Sequence, residues 1–397
     1  MQGGPYMANR YFTCKTNKIP HTYRCGEEIV FHIFYRNEGE TVPAIKFKWQ
    51  IEADYGFRDE GIVDGSTGEF TLKATLDKPG FVYVTAQAVD ENGELMPESD
   101  KFYGGAGVEI EKILAITEEP EDYHDFWKTC KKELYCMEPK LIDCVELPKD
   151  PLHPMHDVYD VRISCVGGIP VSGILTIPRD GKKHPGRVTY QGYGVKSAWH
   201  LFGDDFINLC INAHGIHNDE PQEYYDALVN GRLAGYGFDP EQNKSPHTCY
   251  FKYMMIRAAQ ALRYVMSRPE WDGETLISRG GSQGAVQAIQ GASLVDEVTL
   301  IDTWVPWLCD TNSGSIGRIC GFGNFSGNAI RYFDLSLRAK YVTKKVIISA
   351  GLGDATTRAS GITAMYHKLA GEKELSFTQS REHVYVSPEA ESFPVEI

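Results

Sequence analysis

The hydrophobic period changes once along this chain, and that change limits what it can fold into. From Glu28 to about Glu111, apolar residues recur at every second position. In "AIKFKWQIEAD", Ile45, Phe47, Trp49 and Ile51 alternate with Lys46, Lys48, Gln50 and Glu52, a strand with one dry face and one wet. "EIVFHIFYR", "GEFTLKATL" and "PGFVYVTAQAVD" are further strands, separated by turn clusters such as "VDGSTG" and "DENGE". Short strands with no helix between them predict an all-β sandwich of the immunoglobulin-like kind. Beyond "AITEEPEDYHDFW" the pattern differs: strand-like runs ("RVTYQGYG", "DDFINLCINAHG", "GETLISRGG") alternate with helical ones such as "TCYFKYMMIRAAQALRYVMSR". That alternation predicts a mostly parallel sheet with helices on both faces. A chain of 397 residues has room for both. The expected division is 1–113 for the sandwich and 114–397 for the α/β unit, each with a separate core, so that a chain starting near Ile116 stays soluble.

Charge and cysteine content narrow the partners. A formal net charge of −14 argues against nucleic acid and anionic membrane surfaces, both of which reward clusters of Lys and Arg. No apolar run reaches the ~18 residues that a membrane span requires. The ten cysteines show neither CxxC nor Cys/His metal spacing, so no metal is expected. Most read as buried thiols; a Cys14–Cys25 disulfide is the main alternative. "MQGGPYMANR" lacks the apolar core of a signal peptide. The expectation is a periplasmic or secreted protein if a leader was removed, and otherwise a cytoplasmic one.

In open α/β sheets ligands bind beyond the carboxyl ends of the strands. One such end reads Gly280-Gly281-Ser282-Gln283-Gly284, a G-x-S-x-G match between a strand and an alanine-rich helix. A strand that turns straight into a helix brings backbones too close for side chains at Gly280 and Gly284. The hydroxyl of Ser282 would then project above the sheet, beside the positive end of the helix dipole. The competing reading is an ordinary turn with a helix-capping serine.

A nucleophilic serine needs a base, and the base needs an orienting carboxylate. Two later strand ends supply them in the α/β-hydrolase order of serine, acid, histidine: "KKVIISAGLGD" ends at Asp354 and "ELSFTQSREH" at His383. His367, in a helical run, is a distant second as base. Two backbone N–H groups would form the oxyanion hole, one from Gln283 after the nucleophile. The other is assigned to Tyr193, in the glycine-flanked loop "QGYG" after an early strand.

These segments together resemble the acetyl xylan esterase and cephalosporin C deacetylase group of α/β-hydrolases. The likeness covers most of the second half of the chain: "HDFW" at His124–Trp127, "YDVRISCVGGIPVSGILTIP", "RGGSQGAVQAI", "VPWLCD" and "GLGDATTRASGITAMYHKL". The resemblance implies the same five positions: Ser282, Asp354 and His383 as the triad, Tyr193 and Gln283 as the oxyanion pair. The departures are three. His214-Gly215-Ile216 stands where the family has Arg-Gly-Gln, Val384 follows the histidine where glutamate is usual, and the tail after His383 is short. The sandwich at the front is a further addition.

The expected activity is a cofactor-free serine esterase that removes acetyl or other short acyl groups from carbohydrates such as acetylated xylan oligosaccharides. The alternatives are another hydrolase on the same scaffold, such as a longer-chain esterase or a peptidase, and an inactive carbohydrate-binding protein. Tyr193, Trp199, Trp304 and Trp307 are aromatics near the expected mouth that could stack on sugar rings. Homo-oligomerisation stays open.

Overall fold

In a computed structural model, residues 10–97, 99–203, 205–321 and 328–396 are described. The two-residue period becomes two four-stranded sheets. In the first, Ile29–Asn37 is flanked by Arg10–Thr16 and Glu69–Ala74 and also pairs with the short Glu40–Thr41. In the second the order is Arg58–Asp64, Lys46–Ala53, Gly80–Val89, Lys101–Val108, every pairing antiparallel. Phe12, Phe31, Tyr35, Phe47 and Phe102 fill the space between the sheets. Ile45 falls just before its strand and is exposed, the one residue of the expected dry face that lies outside the core.

The second half forms a ten-stranded sheet. Its centre is six parallel strands in the order Ile207–Asn212, His184–Tyr190, Trp271–Gly281, Leu300–Trp304, Lys345–Gly351, Lys373–Thr378. Antiparallel strands extend both edges: Val171–Pro178, His156–Ile163 and Leu141–Glu146 on one side, Ser392–Pro394 on the other. The helices Tyr123–Tyr135 and Gln283–Ala292 both pack against Tyr250–Met266. This is the α/β-hydrolase fold.

The expectation of separate cores needs correction. The sandwich has its own core, but its strand Gly80–Val89 is buried on both faces. Val82 and Val84 point into the sandwich, whereas Phe81 and Tyr83 belong to the large core of the α/β unit. Four consecutive apolar residues, Phe81 to Val84, carry that signal, since a strand covered on both faces loses its alternation. Asp54 ties the junction further: it is fully buried and accepts hydrogen bonds from the N–H of Phe81 (2.9 Å) and of Ile319 (2.7 Å). The connecting segment is anchored as well, the N–H groups of Ile116 and Thr117 both donating to Asp310 Oδ1 at 2.9 Å. All ten cysteines are free, so the Cys14–Cys25 bridge is not formed.

Candidate active site

Four neighbouring strands end on the same edge of the sheet, and their carboxyl ends carry the site. Trp271–Gly281 runs directly into the helix Gln283–Ala292, with Ser282 as the corner. Ser282 has φ 56° and ψ −121°, a conformation that costs a non-glycine residue about 1–3 kcal/mol. Close packing holds it there. A Cβ at Gly284 would lie 2.2 Å from the Tyr190 carbonyl oxygen, and one at Gly280 would lie 2.4 Å from that of Gly284. Val305, after the neighbouring strand Leu300–Trp304, is also left-handed at φ 42° and lines the same cavity. A β-branched residue rarely adopts that conformation, so the cavity wall holds a second strained residue beside Ser282.

Two strands further on, Asp354 follows Lys345–Gly351, and His383 follows the next strand, Lys373–Thr378. The structure brings both to Ser282. The serine hydroxyl donates to His383 Nε2 at 3.0 Å, and His383 Nδ1–H donates to Asp354 Oδ2 at 2.9 Å. The Asp354 carboxylate is fully buried and receives the N–H of Thr356 (2.7 Å), the N–H of Thr357 (2.8 Å) and the Thr357 hydroxyl (2.6 Å). Those donors compensate its desolvation and fix its direction. His367 is elsewhere, its Nδ1–H bonded to the Ile113 carbonyl at 2.7 Å, and takes no part.

The Tyr193 loop lies against the nucleophile: a Cβ at Gly192 would sit 3.6 Å from both Ser282 Cβ and the Gly281 carbonyl oxygen. Gln283 is the first residue of its helix, so its N–H has no acceptor within the helix. A tyrosine that the sequence reading missed connects the loop of Tyr193 to the side chain of Gln283. The Gly194 N–H donates to Tyr236 Oη at 2.9 Å, and the Tyr236 hydroxyl donates to Gln283 Oε1 at 3.0 Å. The Tyr193 ring stacks on Tyr236, with centroids 4.7 Å apart. His214, the departure from Arg-Gly-Gln, supports the loop from behind. Its Nε2–H donates to the Gly194 carbonyl at 3.1 Å and its Nδ1 accepts from the Tyr250 hydroxyl at 2.7 Å. Burial drives its pKa down to about 4, so this histidine is neutral.

A cavity of about 590 Å³ opens above Ser282. Its walls include Tyr193, Trp199, Trp304 and Trp307, the aromatics singled out in the sequence. They also include Phe238 and Val386, which carried no sequence signal, and Val384, noted above only as a departure from the family. Among the described residues no group of His, Cys, Asp and Glu could hold a metal ion.

The geometry joins a serine, a histidine and a carboxylate in one hydrogen-bonded chain. The acetyl xylan esterase (AXE1) family model matches residues 108–314, just over half the chain. The chain belongs to the acetyl xylan esterase family. It is therefore a carboxylic ester hydrolase. The matched stretch contains Ser282, whereas Asp354 and His383 lie beyond it. Acetyl esterase Axe7A of Xylanibacter ruminicola is 24% identical over 96% of this chain and 88% of its own length, so the alignment runs through the sandwich as well. Among solved structures, the acetyl xylan esterase from Paenibacillus sp. R4 superposes with a TM-score of 0.58 at 21% identity. Acetyl xylan esterase 1 from Thermoanaerobacterium sp. JW/SL YS485 gives 0.55 at 18%. Each match covers 70% of this esterase and 93% of the other chain, and establishes the fold.

Proposed function

We propose that this esterase removes acetyl groups from carbohydrates by a serine mechanism in which Ser282 is the nucleophile, His383 the base and Asp354 its orienting acid. The observation that carries the reading is the hydrogen-bonded chain from Ser282 through His383 to the buried Asp354. Ser282 Oγ attacks the acetyl carbonyl and its proton passes to His383 Nε2. The N–H groups of Tyr193 and Gln283 stabilise the oxyanion of the tetrahedral intermediate. Collapse breaks the bond to the sugar oxygen, which takes the proton from His383, leaving an acetyl-enzyme. Water then gives a proton to His383 and attacks the acetyl carbon. Acetate leaves and Ser282 recovers its hydrogen.

The aromatic walls suit a sugar ring, whose C–H faces stack on such surfaces. A polymer is too large to cross a membrane intact, so a polymeric substrate goes with a secreted enzyme and imported oligosaccharides with a periplasmic or cytoplasmic one. No described helix is long and apolar enough to span a membrane. We take the sandwich, residues 1–113, as a structural partner of the 114–397 unit.

The test is hydrolysis of p-nitrophenyl acetate, butyrate and octanoate, and of acetylated xylo-oligosaccharides, by wild type and Ser282→Ala. The expected result is acetate release that falls by at least about 10³-fold in the variant and a rate that declines with acyl length. A folded wild type no faster than Ser282→Ala would overturn the reading in favour of a glycan-binding protein. A preference for octanoate would replace it with a longer-chain esterase.

A further inference from the structure

The cavity wall holds a cation that the mechanism does not use. Lys196 lies in the loop after His184–Tyr190, and its ammonium sits over the Trp199 ring, 5.4 Å from the centroid. The lysine is partly buried, and among the described residues no carboxylate pairs with it. Desolvation holds its pKa below the ordinary lysine value, opposed only by Cys210, whose buried thiol is itself pushed up to about 12. The other cation on the wall, Arg381, is differently placed: its guanidinium donates to the Ser349 hydroxyl at 2.5 Å and feels the charge of Asp354. None of the described residues lining the cavity is Asp or Glu. In a protein of net charge −14, the substrate cavity is locally positive.

A half-buried charge without a partner is costly, and the cost is relieved when an opposite charge enters. The surrounding aromatic wall lowers the local dielectric and strengthens that attraction. Resting on the deacetylase reading above, we propose that the preferred substrate is an acetylated sugar bearing one negative charge. Lys196 would pair with the anion while the acetyl group lies at Ser282. One uncompensated ammonium matches a monoanion, and a uronate carboxylate or a sulfate ester would serve equally.

The test compares kcat/KM for monoacetylated glucose, monoacetylated glucuronate and monoacetylated glucose 6-sulfate. Wild type should favour one or both anionic sugars by about tenfold or more over the neutral one, and which of them tells the carboxylate from the sulfate. The preference should shrink toward unity between about 0.02 and 0.5 M salt, a readout that needs no variant. Lys196→Met, which keeps an apolar stem over Trp199, should lose the preference and Lys196→Arg should keep it. Equal turnover of all three sugars, or a preference that survives Lys196→Met, overturns this proposal and leaves the deacetylase reading standing. Turnover of none of them overturns both.

Discussion

Tyr236 bonds to the Gly194 N–H, next to Tyr193, and to the Gln283 side chain, so it braces both residues assigned to the oxyanion hole although its hydroxyl touches neither the nucleophile nor the base. Tyr236→Phe removes the acceptor for Gly194 N–H and the donor to Gln283. The expected outcome is a roughly tenfold fall in kcat for acetate esters with KM little changed, because the donors matter most when the oxyanion forms. Steady-state kinetics on p-nitrophenyl acetate check it, and a rise in KM alone would contradict it. His214 makes a second prediction. Burial holds its folded-state pKa at about 4, below the ordinary histidine value, so the unfolded chain takes up a proton first as pH falls. Its stabilisation, up to about 3 kcal/mol, is complete above about pH 6.5 and is lost as pH drops toward 4. Urea midpoints measured from pH 7 to pH 4 should fall less steeply in His214→Gln. Ser282, Asp354 and His383 were legible because each stands at a strand end in a fixed order. Tyr236 and Lys196 were not, because their importance comes from neighbours brought together only by the fold. His214 was visible merely as a departure; its bond to the Gly194 carbonyl required coordinates.

At the scale of the element, the corner at Ser282 depends on backbones too close for any side chain between them. Gly284→Ala would place a methyl 2.2 Å from the Tyr190 carbonyl oxygen, in a region with no flexible neighbour to give way. We expect a loss of several kcal/mol of stability, or no folded protein, read by thermal denaturation. A variant as stable as wild type and fully active would show that the corner can open. The long central helix was legible from its periodicity: the run expected to reach Arg268 gives Tyr250–Met266. The helix Gln222–Val229 was not read, because eight residues, three of them polar, are too few to show a clear apolar periodicity. The sheet edge is closed by the three-residue strand Ser392–Pro394, which pairs with Lys373–Thr378 and is too short to show a period in the sequence.

Across the whole molecule, the change of period correctly separated an all-β part from an α/β part, but not how firmly the two are joined. Burial on both faces of Gly80–Val89 means that deleting residues 1–113 would expose the surface that Phe81 and Tyr83 now cover. The expected outcome is an aggregated or loosely packed fragment, and for the full chain a single calorimetric transition. Two well-separated transitions, or a soluble and active fragment, would restore the picture of independent units. The junction reaches the site itself. Gln379 exchanges two hydrogen bonds with the Gly105 peptide, at 3.0 and 2.9 Å, and Gly353, next to Asp354, packs so tightly on Tyr103 that a Cβ would lie 2.3 Å from its backbone. No described sandwich residue lines the cavity. Selection for faster turnover can therefore act on a module none of whose described residues lines the cavity, and a mutational library confined to the cavity wall would miss those changes.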